Sequence, residues 1–150
     1  MKLSIALLSL CVVFTSCKKV DPDEQAASDE AIIQQYLTDN SLTANATGTG
    51  LHYIIEDLGT GASCSSSSSV RVSYRGYYTD GTVFDESSLL GIEFGLHQVI
   101  KGWTEGIPYF REGGNGILLI PSALAYGTNG SGSVPANTVL IFDVALIQVL

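Results

Sequence analysis

From Leu51 onward, apolar and polar residues alternate with a period of two, and glycine-bearing turns separate the alternating stretches. Leu51, Tyr53 and Ile55 alternate with His52, Ile54 and Glu56. Val70, Val72 and Tyr74 alternate with Arg71, Ser73 and Arg75. Asp80-Gly81 is a hairpin turn that leads into Thr82-Val83-Phe84. Gly113-Gly114 turns into Ile117-Leu118-Leu119-Ile120-Pro121, Gly127 to Val134 is a glycine-rich loop, and Val139 to Leu150 is a final buried strand. Only Val99 to Gly106, with Gly102 and Trp103, reads as a short helix. The expectation is an α+β domain over 51–150: a curved antiparallel sheet of about five strands wrapped over one short helix. A length of 150 residues leaves room for that domain and a short extension, and 45% hydrophobic residues suffice for its core. No internal repeat is present.

The first fifty residues are of another kind. Lys2 precedes an apolar run from Leu3 to Phe14, and Thr15-Ser16-Cys17 follows. Residues 1–16 read as a secretory signal, to be left out of the fold. The small residues before Cys17 resemble a bacterial lipobox, which implies cleavage before Cys17 and a lipid on its thiol. Residues 17–50 read as a tether with a helix near 29–38, where Ile32, Ile33, Tyr36 and Leu37 recur at helical spacing and Ser28 could cap. That helix could dock on the domain, form a dimer contact or space the domain from a membrane; the spacer is preferred. Asn40 to Gly50 reads as a flexible linker.

The residue inventory excludes several chemistries. A net charge of −8 is unsuited to phosphate neutralisation, so no nucleic-acid partner is expected. Cys64 is the one cysteine beyond Cys17, which leaves no disulfide framework. His52 and His97 lie far apart without a cysteine pair near either, so neither a metal nor another cofactor is expected. No Gly-x-Ser-x-Gly elbow or phosphate-cradling loop occurs. Asp85 and Glu86 are adjacent and would point opposite ways on a strand, unlike the carboxylate pair of a glycosidase. What stands out is the placing of Tyr74, Phe84, Phe94, Trp103, Tyr126 and Phe142 at strand ends and beside glycines.

Four blocks carry those aromatics in order. They are Tyr74-Arg75-Gly76-x-x-x-Asp80-Gly81-x-x-Phe84-Asp85-x-Ser87, Phe94-Gly95-Leu96-x-x-Val99-Ile100-Lys101-Gly102-Trp103-x-Glu105-Gly106, Leu119-Ile120-Pro121-x-x-x-Ala125-Tyr126-Gly127, and Val134-Pro135-x-x-Thr138-Val139-Leu140-Ile141-Phe142-Asp143-Val144. Together they resemble the FKBP-type peptidyl-prolyl cis/trans isomerase family, and the whole chain resembles its lipid-anchored bacterial members. The resemblance implies a pocket between sheet and helix with Trp103 as its floor. It implies catalytic roles for Tyr74, Asp85, Ile100, Tyr126 and Phe142, with the Ile100 N–H and the Tyr126 hydroxyl binding carbonyls that flank a proline. It implies substrate contacts from Phe84, Ile92, Phe94, Val99, Trp103 and Val134; Ile92 takes the place of an aromatic wall. Its implied partners are proline-containing unfolded or partly folded polypeptides, with macrolides as inhibitors. It implies a monomer in the bacterial cell envelope, held at a membrane through the lipid on Cys17. The competing reading is a non-catalytic module of the same fold that captures such polypeptides as a chaperone.

Overall fold

A computed structural model describes residues 21–150, so the signal segment and the lipidation of Cys17 lie outside the described residues. Among the described residues, seven strands form one antiparallel sheet in the order β1-β2-β6-β7-β3-β4, with β5 also paired to β3. They are β1 (Asn45–Ala46), β2 (His52–Asp57), β3 (Ser69–Tyr77), β4 (Val83–Glu86), β5 (Ile92–Gly95), β6 (Asn115–Ile120) and β7 (Leu140–Val149). The expected number was about five. The two additions are short: β1 is a two-residue pairing inside the stretch read as a linker, and β5 is four residues long. Segments of that length carry too little alternation to stand out from a loop.

The backbone of the sheet is the long ladder of β3 against β7, from Val70 opposite Val149 to Tyr77 opposite Ile141. The other side of β3 is shared. β5 covers its first half, with Arg71 opposite Glu93 in an ion pair, and β4 covers its second half, with Gly76 opposite Asp85. The loop between β4 and β5 therefore interrupts one edge of the sheet beside Phe84, Asp85, Ile92 and Phe94.

Helix α2 (Lys101–Gly106) lies on one face of the sheet. Gly102 and Gly106 sit one turn apart and face β6. A Cβ at Gly102 would lie 2.4 Å from Ile120 Cγ2, and one at Gly106 would lie 2.8 Å from Leu118 Cδ2. The pair of glycines thus lets the helix backbone approach the strand and holds Trp103 against the sheet. That face buries Leu118, Ile120, Leu140, Phe142, Val144 and Leu146 together with Trp103 and Ile107.

Helix α1 covers the opposite face and corrects the tether reading. It spans Pro22–Asp39, much longer than 29–38. Asp21 caps it by accepting the Asp23 N–H at 2.9 Å, and Pro22 sits in the first turn. Proline is suited to that position because its fixed φ is helical and the N–H it lacks would be unpaired there. Ser28 is consequently inside the helix and caps nothing. Ile33 and Leu37 are buried against Tyr77, Ile117, Leu119, Val139 and Ile141. The unbroken apolar run of β6 follows from this docking: Leu118 and Ile120 meet α2's side while Ile117 and Leu119 meet α1's. No helix among the described residues is long and apolar enough to cross a membrane.

Candidate functional site

Where the β4–β5 loop breaks the sheet edge, a cavity of about 470 Å³ opens between the sheet and α2. That volume suits a few side chains of a peptide or a small ligand. Its walls come from β3 (Tyr74), β4 (Phe84, Asp85), β5 (Ile92, Phe94), the segment before α2 (Gln98, Val99, Ile100), α2 itself (Trp103), β7 (Phe142) and Tyr126.

Aromatic rings set the shape. Trp103, 5% exposed, is met nearly edge-on by Tyr74 at 4.9 Å and by Phe142 at 5.2 Å between ring centroids. Phe94 tilts against it at 5.3 Å. Phe84 and Phe142 meet edge to face at 5.6 Å. This last contact depends on Gly76, because a Cβ there would stand 2.7 Å from a carbon of each ring. Such edge-to-face pairs are the arrangement the ring quadrupoles favour, and each adds about 0.5–1.5 kcal/mol beyond area burial. The indole Nε1 of Trp103 is buried with no hydrogen-bond partner among the described residues.

Polar groups are few and differ in whether they are already engaged. The Tyr74 hydroxyl donates to Asp85 Oδ2 at 2.7 Å and so orients the carboxylate at the rim. Burial, and then the hydrogen bond and charge of Asp85, push the Tyr74 phenol well above its ordinary pKa. Burial and then the Asp85 charge push the Tyr126 phenol up as well. Both phenols therefore remain proton donors at neutral pH. Tyr126 is 37% exposed, and no acceptor meets its hydroxyl among the described residues. Ile100, extended at φ −59° and ψ 147°, precedes α2; its carbonyl accepts the N–H of Trp103 at 2.9 Å. No backbone acceptor meets the Ile100 N–H among the described residues.

Of the residues picked out in the sequence, Tyr74, Phe84, Asp85, Ile92, Phe94, Val99, Ile100, Trp103, Tyr126 and Phe142 all line this cavity. Val134 does not. It is buried in the adjoining core, and its N–H and C=O are both bonded to Ser131, which closes the loop on itself. Gln98 lines the cavity and escaped the sequence reading. It ends a single 3-10 turn, Leu96–Gln98, too short to carry periodicity, and the only signal was its place directly before Val99. Cys64 is half-buried, and burial pushes its thiol pKa up, so it is not an activated nucleophile.

Comparison with known proteins gives the family. Residues 61–147 match the family described as FKBP-type peptidyl-prolyl cis-trans isomerase. The FKBP-type peptidyl-prolyl cis-trans isomerase FkpA of Aeromonas hydrophila is 42% identical over 135 residues, which is 87% of this chain and 50% of the relative. A probable FKBP-type isomerase of Haemophilus influenzae is 45% identical over 69% of this chain and 44% of its own length. The chain thus spans about half the length of the curated relatives it matches. Among solved structures, FkpA from Escherichia coli superposes with a TM-score of 0.73 at 37% identity, over 85% of this chain and 62% of that one. A peptidyl-prolyl cis-trans isomerase from Pseudomonas syringae superposes with a TM-score of 0.74 at 27% identity, over 88% of this chain and 98% of that one. On these matches the chain belongs to the FKBP-type peptidyl-prolyl cis-trans isomerase family.

Proposed function

We propose that this chain accelerates cis/trans rotation about X–Pro bonds in unfolded or partly folded polypeptides of the bacterial cell envelope. The observation that carries this reading is the aromatic-walled cavity whose rim holds an oriented carboxylate and two donors, Tyr126 and Ile100, that meet no acceptor among the described residues.

The chemistry requires little more than this. An amide resists rotation because resonance gives its C–N bond partial double-bond character, with a barrier of about 18–20 kcal/mol. Uncatalysed X–Pro rotation takes on the order of tens to hundreds of seconds. No covalent bond breaks, so what is needed is tighter binding of the twisted amide than of the planar one. Twisting removes charge separation, and an apolar site favours the less polar form by withholding water from the carbonyl. In this proposal the proline ring packs on Trp103 among Phe94, Val99 and Phe142. Ile100 N–H and Tyr126 Oη–H hold carbonyls on either side of the rotating bond. Asp85, held by Tyr74, meets the substrate backbone at the rim, and Phe84 and Ile92 close the sides. A macrolide of the kind that inhibits the family would compete for the same space.

The envelope location rests on sequence. The apolar run from Leu3 to Phe14 and the small residues before Cys17 support export and a lipid tether, and the relatives compared are bacterial.

The test follows cis-to-trans conversion of an X–Pro peptide without a coupling protease. Acceleration by the wild type that falls about tenfold in Tyr126→Phe and in Asp85→Ala is the expected outcome. A folded protein that gives no acceleration overturns the enzyme reading. Peptide binding by such a protein would assign it the role of a capture module.

A further inference from the structure

Helix α1 does more than cover a sheet face, because a buried carboxylate ties it to the turn that carries Tyr126. Asp29 is fully buried, and no cation pairs with it among the described residues. A carboxylate is costly to bury unless its oxygens are hydrogen-bonded. Here they are: Oδ2 accepts both the N–H of Ser122 at 2.7 Å and its hydroxyl at 2.6 Å, and Oδ1 accepts Gln25 Nε2 at 2.7 Å. Ser122 is itself 1% exposed. Its carbonyl accepts the N–H of Ala125 at 3.0 Å and of Gly127 at 2.8 Å, the residues on either side of Tyr126. Among the described residues the Tyr126 hydroxyl has no hydrogen-bond partner to anchor its ring, so its aim depends on that backbone.

From this chain of bonds we infer that Asp29 is a positioning residue for Tyr126. It clamps Ser122, and Ser122 sets the turn that presents the phenol to the cavity. The inference rests on the proposed isomerase role of the Tyr126 hydroxyl. It has a chemical corollary: what the clamp requires is an acceptor at Oδ2, and the negative charge is dispensable. An asparagine can offer its carbonyl to Ser122 while Gln25 rotates to accept from its amide.

Three variants of the full chain test this: Asp29→Ala, Asp29→Asn and the milder Ser122→Ala, each also combined with Tyr126→Phe. The first readout is amide hydrogen exchange. Asp29→Ala is expected to speed exchange at Ala125 and Gly127 by about tenfold or more while β3 and β7 keep their protection, and Asp29→Asn is expected to restore the wild-type pattern. The second readout is X–Pro isomerisation under conditions where every variant is folded. Asp29→Ala is expected to lower kcat/KM by about fivefold or more, with Ser122→Ala between it and wild type, and Tyr126→Phe is expected to add little in the Asp29→Ala background. A merely structural role predicts a lower melting temperature, uniform exchange and an undiminished Tyr126→Phe effect; that result overturns the inference. If Asp29→Ala fails to fold, Ser122→Ala carries both readouts. An inactive wild type sinks the isomerase reading instead, and the exchange pattern then accepts or rejects the clamp by itself.

Discussion

Tyr74, Asp85 and Tyr126 show how a weakly polar site is tuned by a single charge. Tyr74 spends its proton on Asp85, whereas Tyr126 keeps its own and feels the same carboxylate through space. A raised phenol pKa means that the neutral donor form persists to higher pH than the ordinary value of 10.0. Asp85→Ala removes the charge and leaves the larger cause, burial, in place. The Tyr126 pKa is therefore expected to move part of the way back down, and any alkaline limit on activity with it. An NMR titration of the Tyr126 ring checks this; an unmoved pKa would show that the Asp85 charge does not reach the phenol. At this scale the sequence was informative at Tyr74, because alternation tells which face of its strand it takes, and the resemblance of the four blocks supplied Phe84 and Phe142. The sequence was silent on Gln98, whose side chain accepts the Gly95 N–H at 3.4 Å in a single 3-10 turn that no periodicity announces.

Helix α2 has only six residues, two of them glycines inside it and at its end, and on propensity alone it should hardly form. Its contact with β6 explains the choice. Gly102→Ala adds a methyl 2.4 Å from Ile120 Cγ2, so the helix must lift or the strand must yield. A loss of about 1–3 kcal/mol of stability is expected, read as a shifted urea midpoint. Because Trp103 follows directly, kcat/KM on an X–Pro peptide is expected to fall as well. An unchanged midpoint would mean that the close approach is slack. The approximate position of this helix was legible from its aromatic and glycine spacing. β5 was not legible, since a four-residue strand is defined by its partner β3 more than by its own residues.

Among the described residues a single sheet is sandwiched between a short helix that floors the cavity and a long one that seals the opposite face. Ile33, with no exposed surface, is the centre of that seal. Ile33→Ala is expected to cost about 2–5 kcal/mol in urea denaturation. A cost below about 1 kcal/mol would return α1 to the role of a spacer. His52 contributes to the same seam: it is buried beside α1, 3.5 Å from Glu30 Oε1 and 3.3 Å from Gln34 Nε2. The N-terminal segment seen as a tether is thus part of the fold from Asp21 onward. The unbroken apolar run Ile117–Ile120 was the one clue, because a strand without alternation must be covered on both faces. Turn positions and strand alternation were determined by the sequence alone, since each rests on local stereochemistry within a few residues, and the aromatic set followed from the resemblance of its four blocks to the family. The docking of α1, the pairing of Asp29 with Ser122 across a separation of 93 residues, and the seating of Val134 in the core were decided only by the tertiary structure. Burial depends on which surface arrives from elsewhere in the chain, and no local pattern names that surface.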